Sequence, residues 1–429
     1  MTKPLFLLTV LTTVFALAFS GCKKGENPLK PYETDDHPIV WNYSTNIHNT
    51  NADIIPAMDA DGNIYFALQE SSSSNKTIVF AINRTGDELW KKEIDGTIGS
   101  QLIYQDESLF LAVTIIDELS YETTTTYCIS STNGTIIWQR ETRQRGGCVM
   151  AVSDDFVITA GRNQGEPSGE EEDFEINILD KSGNLIQLIG TNLGVRAVSI
   201  IDHKFYYACQ HSGGSGYGQI RLEKYDLLTH TFDWVYFGSE LVEENWNIAS
   251  PDLVVDNDNN IYLVTQFQLD IYLHIVSPEG NLIHKTKLDE ANDVTLTPTI
   301  DMEGNFYMGA PGFIRKYSTD ANQIWQFDDY NHTTATGPNL GFGPLLSTDG
   351  MIYYGGTDGF YAVKDTPEIS WIIYPETGFN YPGYPNLNSD GNIIVVSDNY
   401  VSCIKGDGKQ MLNSAWPKVY QNIGNTSSR

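Results

Sequence analysis

The side chains best suited to chemistry in this sequence are oxygen ligands at alternate positions. Asp256, Asp258 and Asn260 have the spacing with which a calcium loop presents its oxygens, but the run lacks the glycine and the distal glutamate of such a loop. Similar corners occur at residues 59–63 and 301–305, where hairpin turns explain the same residue types. No H-E-x-x-H, G-x-S-x-G or Walker pattern occurs. We therefore predict turns, with no catalytic, cofactor-binding or metal-binding residues; a bound calcium ion is the alternative.

Cysteine is the second residue type with chemical potential. Besides Cys22, the chain contains Cys128, Cys148, Cys209 and Cys403. Four cysteines permit three disulfide pairings in an oxidising compartment. However, Cys128 and Cys403 align with Ala81 and Ala362 of other sequence units, which is the position of a small buried residue in a strand. We therefore predict that these cysteines are buried thiols without disulfides.

Cys22 follows a different pattern. Lys3 precedes an apolar run from Leu5 to Phe19, and the small residues Ser20 and Gly21 stand directly before the cysteine. The run is short for a membrane span and is typical of a secretory signal. It resembles a bacterial lipoprotein signal, and that resemblance implies that Cys22 is lipidated and becomes the first residue of the mature protein. An ordinary signal peptide cleaved nearby is the alternative.

The resemblance also implies boundaries and a location. We expect residues 1–21 to form the signal peptide and residues 22–37 to form the lipidated cysteine and a flexible tether. Lys23 and Lys24 stand where an aspartate would favour retention in the inner membrane, so we expect a lipid-anchored protein of the bacterial cell envelope, at the outer membrane. The lipid would be its only contact with the membrane.

The rest of the chain, residues 38–429, repeats itself with a period of about 41 to 50 residues. Each unit combines Asp-Gly or Asn corners, short strands rich in Ile, Val, Tyr and Phe, and a glycine followed four residues later by tryptophan, as in Gly86–Trp90 and Gly134–Trp138. This period predicts an all-β protein, a β-propeller of four-stranded antiparallel blades, with the tryptophans as anchors between blades.

The number of blades depends on how the ring closes. Residues 38–43 look like the last, tryptophan-bearing strand of a unit that lacks its earlier strands, and eight sets of earlier strands follow. The N-terminal strand would complete the last blade and remove an exposed sheet edge, which gives eight blades. Seven blades is the alternative, because residues 227–230 of the fourth unit contain no glycine.

The pattern resembles the eight-bladed propellers of the pyrroloquinoline quinone-dependent alcohol dehydrogenase type. The similarity extends from about Pro38 to Tyr420 and includes the closing W-P segment at residues 415–420. Enzymes of this family stack their quinone on a disulfide between adjacent cysteines and hold calcium with Glu, Asn and Asp. This sequence has no adjacent cysteines. The resemblance therefore implies a non-catalytic member without cofactor, whose nearest analogue is the propeller lipoprotein that assists outer-membrane protein assembly. A quinone- or metal-dependent dehydrogenase and a propeller-type glycan-cleaving lyase are the alternatives.

Charge limits the class of partner. The chain has 55 acidic and 26 basic residues, a net charge of −29, which repels nucleic acid phosphates. An acidic run at residues 166–173 is expected to be a loop, with a cationic partner or calcium as the alternative.

We expect a monomer that binds an envelope protein or a glycan through the loops that enter the innermost strands. By repeat alignment these loops carry Gln101, Arg145, Arg196, Trp246, Thr297, Phe342 and Tyr384.

Overall fold

The computed structural model describes most of the chain after residue 38. The described ranges are 39–47, 54–70, 75–116, 122–163, 174–210, 220–236, 246–248, 253–267, 270–290, 297–310, 313–328, 343–355, 360–373, 384–396, 400–418, 420–422 and 424–429. Within them all regular structure is β-strand, and no helix is long and apolar enough to cross a membrane. Cys22 and the acidic run at residues 166–173 lie outside these ranges.

The strands form eight sheets. The first strand is β1 (Ile39–Ser44). Blade 1 contains β2 (Ala57–Met58), β3 (Ile64–Gln69), β4 (Lys76–Ile82) and β5 (Glu88–Asp95). Blade 2 contains β6 (Thr97–Ile98), β7 (Ile103–Gln105), β8 (Ser108–Ile116), β9 (Glu122–Ser130) and β10 (Ile136–Thr142). Blade 3 contains β11 (Gln144–Val152), β12 (Phe156–Asn163), β13 (Phe174–Asp180) and β14 (Leu185–Thr191). Blade 4 contains β15 (Gly194–Ile201), β16 (Lys204–Gln210), β17 (Ile220–Asp226) and β18 (Thr231–Tyr236).

The second half of the ring follows the same order. Blade 5 contains β19 (Trp246–Ile248), β20 (Val254–Val255), β21 (Ile261–Phe267), β22 (Asp270–Val276) and β23 (Leu282–Glu290). Blade 6 contains β24 (Thr299–Ile300), β25 (Phe306–Ala310), β26 (Phe313–Tyr317) and β27 (Gln323–Asp328). Blade 7 contains β28 (Leu345–Leu346), β29 (Met351–Gly355), β30 (Phe360–Lys364) and β31 (Ile369–Ile373). Blade 8 contains β32 (Asn386–Leu387), β33 (Ile393–Val396) and β34 (Tyr400–Ile404), with β1 as its outermost strand.

Strand β1 closes the ring. It pairs antiparallel with β34, with Trp41 facing Cys403 and Tyr43 facing Val401. The cluster at this joint combines side chains of blades 8 and 1, and Trp41 packs against it. Because the first and last strands share one sheet, β1 covers the edge that β34 would otherwise expose. The fourth sequence unit also forms a complete blade, so the prediction of eight blades is confirmed and the alternative of seven is wrong.

The repeated corners are hydrogen-bonded turns. Asp59 accepts hydrogen bonds from the backbone N–H and the side-chain amide of Asn63, both at 2.8 Å, and from the hydroxyl of Tyr65, also at 2.8 Å. Asp256 accepts the same three kinds of bond from Asn260 and Tyr262. The aspartate satisfies backbone donors that the turn would otherwise leave free. The prediction that these corners are turns is confirmed.

Tryptophans join neighbouring blades. The indole N–H of Trp90 in blade 1 donates a 2.8 Å hydrogen bond to the carbonyl of Ser131 in blade 2, and Trp138 in blade 2 reaches Lys181 in blade 3 in the same way, at 2.9 Å. Each ring also lies over the glycine of the neighbouring turn, as Trp90 does over Gly134. The predicted role of the tryptophans as anchors between blades is confirmed at these joints.

Two joints lack the tryptophan, and at both of them the facing turn also lacks the glycine. Gln187 replaces the tryptophan of blade 3, and the corresponding turn of blade 4 has His230 at φ 58° in place of glycine. His284 replaces the tryptophan of blade 5, and the turn of blade 6 has Ala321 at φ 58°. A glycine is needed only where an indole covers the turn, because any Cβ there would meet the ring.

The four propeller cysteines are buried free thiols. Cys128 faces Trp138 across strands, and Cys403 faces Trp41, just as Ala81 faces Trp90. The residue opposite the indole is alanine or cysteine in blades 1, 2, 7 and 8, whereas Lys224 and Lys316 take this position in blades 4 and 6. The interpretation of these cysteines as small core residues is confirmed.

Candidate functional site

The central channel has two ends with different structures. At one end lie the turns that connect the first to the second strand of each blade, such as the turn around Asp301, together with the turns before the fourth strands. The two kinds of turn meet there, since Tyr307 donates hydrogen bonds to both Asp301 and Asp365, at 3.1 and 3.0 Å. We call this the turn end. The opposite end, where the chain enters each first strand, is the mouth.

The C-terminal tail, residues 410–429, fills the turn end. Its backbone extends the hydrogen bonding of the innermost strands around the ring: Leu412 N to Leu346 O at 2.9 Å, Ile300 N to Trp416 O at 2.7 Å, Tyr104 N to Gly424 O at 2.8 Å, Val152 N to Thr426 O at 3.0 Å and Ile200 N to Ser427 O at 3.0 Å. These partners belong to blades 7, 6, 2, 3 and 4. The tail therefore connects blades that are far apart in sequence, which the resemblance of residues 415–420 to a closing segment did not reveal.

Polar side chains of the tail are buried in the channel. Lys418 is 2% exposed, and its ammonium donates to Asn425 Oδ1 at 2.7 Å and to the carbonyl of Asn422 at 3.1 Å. The amide of Asn425 donates in turn to the carbonyls of Ile55 at 3.1 Å and Leu102 at 3.4 Å. Because a buried charge requires such partners, these bonds fix the tail in one position.

At the mouth, a cleft of about 350 Å³ lies between blade 3 and the innermost strand of blade 4. Its lining includes the aliphatic residues Val149, Ala160 and Val195 and two arginines, Arg162 and Arg196. Both arginines are exposed. An aliphatic lining with convergent cations is the general form of a site that orients an anionic ligand.

Irregular backbone shapes this cleft. The pairing of β15 with β16 shifts between Val195 and Ala197, so that Arg196 is the extra residue of a β-bulge. A second bulge interrupts the pairing of β11 with β12 between Arg145 and Cys148. Bulges of this kind re-aim side chains at the rims of sheets and beside binding sites.

The residues predicted for the mouth have different environments. Arg196 lines the cleft, whereas the amide of Gln101 is bonded to the carbonyl of Met150 at 2.8 Å. Thr297 is 2% and Tyr384 8% exposed, so these two side chains, although they lie just before first strands as the alignment placed them, are packed inside the propeller. Phe342 and the side chains of Arg145 and Trp246 lie outside the described residues. The sequence alignment missed Arg162, because it sits at the end of a second strand and the alignment considered only first strands.

Other charged groups serve the joints between blades. Lys316 bridges Asp301 at 3.3 Å and Asp365 at 2.7 Å beside a second cleft, of about 270 Å³, at the turn end. Burial and the neighbouring carboxylates raise the pKa of Tyr307, which donates to both of these aspartates. Tyr207 of blade 4 donates in the same manner to buried Glu223, at 2.5 Å. In the described part of the chain no three His, Cys, Asp or Glu side chains are grouped as metal ligands would be.

Comparison with known proteins gives structural matches only. No protein-family model matches the sequence, and no curated protein does. The crystal structure of BamB from Moraxella catarrhalis is similar, with 15% sequence identity, a TM-score of 0.55, and coverage of 86% of this chain and 98% of that one. A quinohemoprotein alcohol dehydrogenase from Comamonas testosteroni is also similar, with 12% identity, a TM-score of 0.58, and coverage of 87% and 77% respectively. The chain is thus an eight-bladed β-propeller, similar in fold to BamB and to the quinohemoprotein alcohol dehydrogenase.

Proposed function

We propose that this protein is a lipid-anchored β-propeller of the bacterial cell envelope that binds a protein or glycan partner at the mouth of its channel and has no catalytic role. The observation that carries this proposal is the difference between the two ends of the channel. The turn end is filled by the chain's own tail, while the mouth has an arginine-lined cleft held by rigid blades. Rigid presentation of a cleft suits recognition.

The position of the cysteines supports the non-catalytic role. The four propeller cysteines are spread over blades 2, 3, 4 and 8, and all are buried as free thiols. Burial raises the pKa of the Cys148, Cys209 and Cys403 thiols to about 12, so they are protonated and unreactive at neutral pH. In the quinone enzymes, by contrast, adjacent cysteines form the disulfide on which the cofactor stacks.

The anchor is proposed at Cys22. Strand β1 begins at Ile39, which faces Ile404, the last residue of β34, at the turn end of blade 8. The tether would therefore join the propeller at the turn end and leave the mouth free to meet a partner. Replacement of Cys22 by Ser is expected to release a folded propeller from the membrane fraction, because the tether precedes the blades. Continued membrane association of the variant would contradict the proposed anchor.

The binding role is tested by capture of partners. Affinity purification of the wild-type protein from detergent-solubilised envelope, with mass spectrometry, is expected to recover a specific partner.

The enzymatic alternative is tested by adding pyrroloquinoline quinone and calcium, for which we expect neither a saturable thermal shift nor dye-linked oxidation of alcohols or sugars. A tight cofactor at a hundredfold excess over its Kd would stabilise the fold by about 2.7 kcal/mol. Such a thermal shift together with dye-linked oxidation would show that the protein is a dehydrogenase and not a binding module.

A further inference from the structure

We propose that the cleft between blades 3 and 4 binds a carboxylate-bearing segment of a partner protein, with Arg162 and Arg196 as its cationic contacts. This inference rests on the proposed binding function and adds the chemistry of the ligand. A guanidinium recognises a carboxylate through two parallel hydrogen bonds, and two guanidinium groups in one cleft would hold an acidic side chain or a pair of neighbouring ones.

The charge distribution supports this assignment. The chain has more than twice as many acidic as basic residues, yet among the described residues neither Arg162 nor Arg196 is paired with a carboxylate. Some cations of the propeller are paired: Lys204 lies 2.6 Å from Asp226, and Lys316 lies 2.7 Å from Asp365. Arg84 is also without a carboxylate partner among the described residues, but only Arg162 and Arg196 line this cleft. On a surface with this excess of acid, exposed arginines without a partner are available for a ligand.

The backbone brings arginines together at this point. The bulge in β15 places Arg196 of blade 4 at the cleft, and Arg162 lines the same cleft from the end of β12 in blade 3. Two neighbouring blades thus each contribute one guanidinium group to the site.

The lining favours a peptide over a sugar. Sugar rings are commonly held by stacking on an exposed aromatic face, but the aromatic residue of this cleft, Phe174, is only 7% exposed. Its ring packs so closely on Gly194 that an added Cβ there would lie 3.1 Å from it. The remaining lining consists of the two arginines, Val149, Ala160, Val195, Cys148 and two glycines, which suits an acidic side chain whose methylene groups pack on the apolar residues.

The direct test is fluorescence anisotropy with a hexaglutamate peptide that carries an uncharged fluorophore, with hexaglutamine as the neutral control. We expect the wild-type protein to bind hexaglutamate and not hexaglutamine, with affinity that falls as salt rises. The double variant Arg162→Gln/Arg196→Gln should weaken binding about tenfold or more, which corresponds to 1.4 kcal/mol. The matched control is Arg84→Gln, an exposed arginine in a turn of blade 1, which should bind as the wild type does. Equal thermal melting of all variants shows that each is folded.

Three outcomes would overturn the inference. Wild-type protein could fail to distinguish the two peptides, the double variant could bind hexaglutamate as tightly as the Arg84 variant, or trigalacturonate could bind the cleft more tightly than the peptide. The proposed function is separable: if the double variant captures the envelope partner as well as the wild type does, the cleft assignment fails while the binding role stands. If hexaglutamate binds as expected but no envelope partner is captured, the cleft assignment stands while the proposed binding role fails.

Discussion

The indole of Trp90 lies so close to Gly134 that a methyl group on residue 134 would stand 2.7 Å from Cε3 of the ring. The same indole donates its hydrogen bond to the carbonyl of Ser131, at the start of the turn that contains the glycine. One side chain thus packs on the next blade and satisfies part of its backbone. The contact recurs at three other joints, between Trp41 and Gly86, Trp138 and Gly183, and Trp234 and Gly280, which explains the fixed spacing of glycine and tryptophan in those units.

We predict that Gly134→Ala destabilises the fold by about 2–4 kcal/mol, since alanine meets the indole and also adopts φ +71°. Gly408→Ala is the matched control, because Gly408 has φ +70° with no atom within 4 Å of an added Cβ. The control should lose only about 1 kcal/mol, the cost of the left-handed backbone. Urea unfolding measures both; equal losses would show that the indole contact contributes nothing.

Strand β1 should carry much of the stability of the closed ring. Deletion of residues 23–36 leaves the strand intact and should barely alter the melting temperature. Deletion of residues 23–46 removes Trp41, whose indole N–H donates to the carbonyl of Arg84 at 3.0 Å, and exposes β34 as an edge. The second deletion should therefore lower the melting temperature greatly. Similar melting temperatures for the two truncations would refute closure by β1.

The tail should depend on Asn425, which has φ +61° and is fully buried. Asn425→Gly keeps the backbone conformation but removes the hydrogen bonds to Lys418, Ile55 and Leu102. We expect a loss of about 2–3 kcal/mol in unfolding free energy, because buried polar groups lose their partners. Arg429→Gln, which affects exposed contacts, should cost less than about 0.5 kcal/mol. If the tail did not bind in the channel, the two variants would lose the same unfolding free energy.

Cys148 should make stability fall in alkaline solution. Burial raises the pKa of its thiol from 9.0 to about 12, so the native state holds the proton more tightly than the unfolded state does. Its contribution to stability is complete below pH 9 and is lost as the pH rises toward 12. The stability difference between wild type and Cys148→Ala, measured by urea unfolding, should shrink over that range. A difference that stays constant with pH would contradict the shifted pKa.

Much of the fold could be predicted from the sequence because it depends on local, repeated patterns. Corners such as Asp59–Asn63 form turns through hydrogen bonds within a few residues, and the sets of strands between the corners give the number of blades. Even the closure by residues 38–43 followed from counting strands. The strand pattern occurs eight times, so an irregular unit, such as the one without glycine at residues 227–230, did not hide the period.

The candidate site could be predicted only in part. Alignment of the repeats placed Arg196 at the mouth, but it also placed Thr297 and Tyr384 there, and both are buried. Exposure at these positions depends on what the neighbouring blades pack against them, and Tyr384 shares a cluster with Ile55, more than three hundred residues earlier in the chain. Periodicity predicts where a residue lies along a strand, not what covers it.

By itself, the sequence determined the blades, their order, their joints and the closing strand, because each of these depends on residue types at a short, repeated spacing. Only the tertiary structure decided how the tail fills the turn end and how two arginines meet at the mouth. The amide of Asn425 bonds to a carbonyl 370 residues away, and a bulge in β15 brings Arg196 to Arg162 of another blade. Such contacts follow from closing the ring, which brings together segments that no local pattern relates.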